Sequence, residues 1–126
     1  MNGLALTGKQ HYGQILYYSD GMNVLSNAAQ WNGNISGTQW ASSTSTAETF
    51  GYAYNYDALN RLTKADFGRS SNWTTTAYDE NNITYDANGN ILTYQRNDGS
   101  GAILDNMAIG KRNYKLNNRC EKYWNS

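Results

Sequence analysis

The chain has 126 residues, of which 16% are charged, and its ten basic side chains balance its ten acidic ones. That length holds one domain with a modest core, and the balance leaves no global field to draw nucleic acid or an anionic membrane. An aromatic share of 13%, led by 11 Tyr, excludes an ordinary disordered chain.

Polarity comes from 18 Asn and 12 Gly, with abundant Ser and Thr. Tyr, Trp and Thr suit strands, whereas Asn and Gly supply the left-handed backbone of tight turns. The composition therefore predicts an all-β chain. Proline is absent, and the one cysteine, Cys120, cannot form an internal disulfide, which leaves the redox compartment open. No apolar run is long enough for a membrane span, and residues 1–20 lack the charged-then-apolar order of a signal peptide. No membrane insertion is expected, and any export address would lie outside this chain.

Taken in order, residues 1–10 are small and polar. His11 to Tyr18 is rich in strand formers and stops at Asp20-Gly21, a turn signal. Residues 22–30 have room for a helical turn, without convincing periodicity. Asn32-Gly33 predicts a turn, and Ile35 to Trp40 the strand that returns from it. Residues 41–48 read as a polar loop or linker. Phe50 to Tyr56 is the strongest strand: alternation puts Tyr52, Tyr54 and Tyr56 on one face, opposite Ala53 and Asn55. A turn at 57–60 precedes a strand near 61–67. Residues 68–82 read as a loop with a short strand at 73–78. Ile83 to Tyr85 and Ile91 to Arg96 form a hairpin around Asn88-Gly89-Asn90, and Asp98-Gly99 closes it. A final unit follows at 112–123.

One pattern recurs through this order. Tyr56-Asp57-Ala58-Leu59-Asn60-Arg61-Leu62 returns as Tyr85-Asp86-Ala87-Asn88-Gly89-Asn90-Ile91, and again, altered, as Tyr114-Lys115-Leu116-Asn117-Asn118-Arg119-Cys120. The leading tyrosines are 29 residues apart both times. A partial copy, Trp31-Asn32-Gly33-Asn34-Ile35, shares Asn-Gly-Asn-Ile with residues 88–91. Such a period marks stacked supersecondary units, each too small to bury an apolar face alone. Within a unit the aromatic ends one strand, the Asp caps a tight turn, and an aliphatic opens the return strand. Gly89 and Asn90 together suit the left-handed pair of a two-residue hairpin turn. The next small or apolar position lies three residues past the aliphatic (Leu62/Ala65, Ile91/Tyr94, Cys120/Tyr123), which is no strand period and predicts a bulge or a sharp twist in each return strand.

These motifs resemble the YD repeat of Rhs-type proteins, and Trp31 to Trp40 resembles the segment that precedes such repeats in large surface proteins of Bacteroidetes-like bacteria. The resemblance spans residues 12–123 of a single 1–126 segment: a leading stretch 1–30, a partial repeat 31–40, and repeats at 50–67, 83–96 and 112–123. It implies consecutive antiparallel β-hairpins forming part of a twisted sheet or shell wall, in an exported bacterial protein whose shell encloses or displays a C-terminal toxin. Location at the cell surface or outside the cell is implied with it. The signature residues carried over are structural: Tyr56, Asp57, Asn60, Arg61, Leu62, Tyr85, Asp86, Asn88, Gly89, Asn90, Ile91, Tyr114, Asn118 and Arg119. The altered copy has Lys115 in place of Asp and Cys120 in place of Leu, and the family's proline-containing core motif has no counterpart here.

Chemistry beyond the repeat is sparse. His11, the single histidine, has no base-and-orienter pattern around it. Asp86-x-Asn88-x-Asn90 opens like a calcium loop, but its glycine is misplaced and Asn97 stands where a closing Glu belongs, so turn capping is preferred. Lys111, Arg112, Lys115, Arg119 and Lys122 read as a solvated face and not as a nucleic-acid patch. No catalysis and no cofactor are expected. The partners expected are further YD repeats of a longer chain, or another copy through edge strands. The alternative reading is a stand-alone surface module that meets glycans with exposed Tyr and Trp.

Overall fold

The computed structural model describes residues 12–20, 22, 24–25, 28–42 and 48–108. They form β1 (Tyr12–Tyr17), β2 (Gly37–Ser42), β3 (Thr49–Tyr56), β4 (Leu62–Arg69), β5 (Glu80–Tyr85), β6 (Ile91–Asn97) and β7 (Ile103–Ala108). Each strand pairs antiparallel with its sequence neighbours, giving one seven-stranded meander in the order β1-β2-β3-β4-β5-β6-β7. The expected all-β chain of consecutive hairpins is what is found. Cys120, His11, the basic stretch 111–122 and the altered repeat with Tyr114, Asn118 and Arg119 lie outside the described residues.

Register sorts the side chains. Trp40 faces Phe50, Thr38 faces Tyr52, Phe67 faces Tyr52, and Ala65 faces Tyr54 across their ladders, so these share one surface of the sheet. Their rings form a cross-strand row: Trp40 stacks on Phe50 and Tyr52 at 5.9 and 6.0 Å, and Phe50 stacks on Phe67 at 6.2 Å. Tyr78 meets Phe67 edge-on at 5.3 Å. Such pairs add about 0.5–1.5 kcal/mol each beyond the area they cover.

The opposite surface is built to be covered. Gly51 and Gly68 face each other across β3 and β4. A Cβ on Gly51 would lie 2.5 Å from Met22 Cε, and one on Gly68 would lie 2.5 Å from Trp73 Cε3. Glycine therefore lets the Met22 side chain and the Trp73 ring lie directly on the backbone. Met22 is only 2% exposed, and burying a side chain of that size contributes roughly 2 kcal/mol. Ala41 and Ala53, which alternate with the ring-bearing positions of β2 and β3, are buried on this same surface.

Two expectations are corrected. Residues 73–78 are not a strand. After β4 the chain makes an isolated bridge between Arg69 and Asn72, turns, and re-enters the sheet only at Glu80. Pairing of β4 with β5 is correspondingly thin, a single aligned pair at Ala65 and Glu80. The buried Asp79 substitutes for the missing ladder, its carboxylate accepting the Phe67 N–H at 2.8 Å. The second correction concerns the hairpin turns. They are not two-residue loops with both central residues left-handed: Gly89 has φ of 88°, whereas Asn90 is not among the residues of positive φ.

Candidate functional site

The repeated residues assemble at the turns. In the first unit the Asp57 carboxylate accepts the N–H groups of Leu59 and Arg61, both at 2.9 Å, while the Asn60 N–H donates to Asp57 O at 3.0 Å. In the second, Asp86 accepts from Asn88 and Asn90 at 2.8 and 2.9 Å, and the Gly89 N–H donates to Asp86 O at 3.0 Å. Each is a three-residue loop: a β-turn, then one left-handed residue, Asn60 at φ 63° or Gly89 at φ 88°. One extra residue follows on each return strand, Thr63 on β4 and Leu92 on β6, where the register slips. The expected bulges are present in both described copies.

A third copy of this turn escaped the tyrosine-anchored reading. Asp98 accepts from Ser100 and Ala102 at 2.8 and 3.0 Å, Gly101 has φ of 89°, and Leu104 is the extra residue after Ile103. It joins β6 to β7 at the end of the sheet opposite the other two turns. A signal was available: Asp-x-x-Gly-x-Ile-Leu occurs at both 86–92 and 98–104. It was hidden because Asn97, and not Tyr, precedes Asp98.

The remaining signature residues link one unit to the next. Tyr56 donates its hydroxyl to Ile35 O at 2.7 Å, and Tyr85 donates to Leu62 O at 2.6 Å. Each of these two tyrosines therefore reaches back to the carbonyl of the aliphatic residue that follows the preceding unit's turn. Arg61 reaches forward. Its Nε binds Asp57 at 2.8 Å, its guanidinium lies 4.6 Å from the centre of the Tyr85 ring, and an NH group donates to Asp86 O at 3.4 Å. On the other side Asn60 Oδ1 accepts from the side chains of Asn32 and Asn34 at 2.6 and 3.3 Å. Loop 31–34, turn 57–61 and turn 86–90 thus lie in sequence along one end of the sheet. Leu62 and Ile91 face Tyr56 and Tyr85 in their own hairpins.

Protonation follows this geometry. The Arg61 backbone N–H foremost, then the Arg61 side chain, hold Asp57 below the usual carboxylate value. The Asn90 side chain and N–H do the same for Asp86, and the Ser100 hydroxyl and N–H for Asp98. Burial moves Asp79 the other way. Tyr52 is pushed up to about 12, by burial first and then by Glu80.

Asp86, Asn88 and Asn90 do not converge on an open cation site; the two oxygens of Asp86 are occupied by its own turn, Oδ2 by Asn90 Nδ2 at 3.0 Å. Among the described residues no three of His, Cys, Asp and Glu are grouped to hold a metal, and no helix is long and apolar enough to cross a membrane. No protein-family model, curated protein or solved structure matches the chain.

Proposed function

We propose that this chain is a non-catalytic, load-sharing piece of a β-sheet wall in an exported bacterial protein of the YD-repeat kind, adding hairpins to a shell that encloses or displays a C-terminal toxin. One observation carries the reading: the motif's aromatic and basic side chains contact neighbouring units, Tyr56 and Tyr85 backward and Arg61 forward. A signature kept for binding would point its groups outward. Here the polar atoms are used in stacking one hairpin on the next, which is the logic of a repeat array.

The second reading, a glycan-binding surface, draws support from the row of Trp40, Tyr52 and Tyr54, half-exposed rings of the kind on which sugars stack. Two measurements on the whole chain separate the readings. Insertion of a second copy of residues 57–85 after Tyr85 is expected to raise the unfolding midpoint, because the new unit finds the same donors and acceptors on both sides. A glycan array is expected to give no saturable binding. A destabilising insert would overturn the wall; glycan binding lost in Trp40→Ala or Tyr54→Ala, with melting unchanged, would replace it with the surface module.

A further inference from the structure

The tetrapeptide Asn-Gly-Asn-Ile occurs at 32–35 and again at 88–91. We propose that the fold makes Asn32 a deamidation site and protects Asn88. In this reaction the backbone nitrogen of the following glycine attacks the asparagine Cγ. The N–Cγ bond forms, that nitrogen gives its proton to water, the Cγ–Nδ2 bond breaks, and ammonia leaves. Water then opens the cyclic imide at either carbonyl, giving aspartate or isoaspartate. The balance is water in and ammonia out, with no redox change.

Local chain chemistry is matched at the two sites, down to a left-handed glycine at φ 92° for Gly33 and 88° for Gly89. What differs is where three groups are engaged. The attacking Gly33 N–H has no hydrogen-bond partner among the described residues, and a Cβ on Gly33 would meet nothing within 4 Å, so water reaches it. Asn32 Oδ1, where negative charge develops, accepts the Asn34 N–H at 3.0 Å, a donor already in place for the oxyanion. The departing Nδ2 is held on Asn60 Oδ1 at 2.6 Å, an acceptor that supports the amine as it gains a proton to leave.

At 88–91 the neighbouring carboxylate changes each of these. The Gly89 N–H is tied to Asp86 O at 3.0 Å and must break that bond before it attacks. The Asn90 N–H, which corresponds to that of Asn34, donates to Asp86 Oδ1 and not to Asn88. Position 30, which corresponds to Asp86, is Gln30, so the first copy has no such carboxylate. Conversion at Asn32 removes the Nδ2 donor to Asn60 and, as isoaspartate, lengthens the backbone. Loop 31–34 would then keep only the Asn34 side-chain bond to Asn60 of the first turn.

The test uses the full chain without substitution, incubated at mildly alkaline pH and followed by peptide mapping with mass and isoaspartate detection. A parallel sample in concentrated urea reports the intrinsic rates. In urea the two sites should convert at similar rates, because their sequence is the same from the asparagine onward. In the folded chain Asn32 should convert several-fold faster than Asn88. Asp86→Ala should raise the Asn88 rate and leave that of Asn32 unchanged. An Asn32 that stays intact, or an Asn88 that keeps pace with it in the folded chain, overturns the proposal. So does an Asp86→Ala chain in which Asn88 remains as slow as before.

Discussion

Residues 32–35 and 88–91 spell the same four amino acids and make the same left-handed glycine, yet they belong to different structures. At 86–90 a carboxylate two residues upstream collects the Asn88 and Asn90 N–H groups and closes a tight hairpin between β5 and β6. Around 32–35 that carboxylate is replaced by Gln30, whose own N–H donates to Tyr18 O at 2.9 Å across a wide connection from β1 to β2. Asn32 then caps the turn itself, binding the Asn34 N–H. The tetrapeptide is the heart of a hairpin where a carboxylate caps it, and the tip of a long loop where Gln30 stands instead. Even so, Ile35 O keeps the job of its counterpart Leu62 O, accepting a tyrosine hydroxyl from the next unit. Stacking survives where the turn does not.

The sharpest way to break this comparison is at the two glycines. Gly89→Val forces a β-branched residue to positive φ inside a closed hairpin and should cost about 2 kcal/mol in chemical denaturation. Gly33→Val meets the same backbone restriction in a loop that no carboxylate closes, and should cost about half as much; equal losses would mean that loop and hairpin are equally rigid. Next come the stacking bonds. Tyr56→Phe and Tyr85→Phe each remove one hydroxyl donor from a part-buried carbonyl, and each should lower stability by about 1 kcal/mol. A neutral Tyr56→Phe beside a destabilising Tyr85→Phe would remove loop 31–35 from the repeat.

Acid should separate the two turns without mutation. Folded-state values for Asp57, Asp86 and Asp98 are depressed, so each contributes stability above the ordinary carboxylate value, and this is lost as pH falls through the depressed one. Asp79 opposes them: its raised value means that its burial cost is relieved on acidification. Amide protection at Asn88 and Asn90 should therefore fall in acid ahead of that at Asn34, whose acceptor is an amide that does not titrate. Protection lost in step at all three would point to global unfolding instead. The smallest effect is expected from Asn60→Gly. It relieves φ of 63° but drops the exposed contacts to Asn32 and Asn34, so the unfolding free energy read from thermal melting should change by no more than about 0.5 kcal/mol.

Much of this was legible in the residues. Alternation in 50–56 assigned the faces of β3, and the three-residue offset after Leu62 and Ile91 announced the bulges that place Thr63 and Leu92 out of register. The turn type was misjudged because Gly89-Asn90 offers two residues tolerant of positive φ, while the Asp86 carboxylate, by binding N–H groups two and four residues on, selects the longer loop. The strand expected at 73–78 failed for a different reason. Trp73 and Thr74 to Thr76 have strand-like chemistry, but Trp73 is used to cover Gly68, and a residue docked on the face of the sheet cannot also extend its edge.

Order along the chain thus determined the hairpins, their caps and their stacking sequence, because each depends on groups within a few residues or one repeat of each other. Which of the described glycine amides stay free, which carboxylate is buried, and which side chains close over the Gly51 and Gly68 backbone were decided only in three dimensions. Those outcomes turn on competition for the same N–H groups and the same few square ångströms of sheet, and that competition exists only once the strands lie side by side.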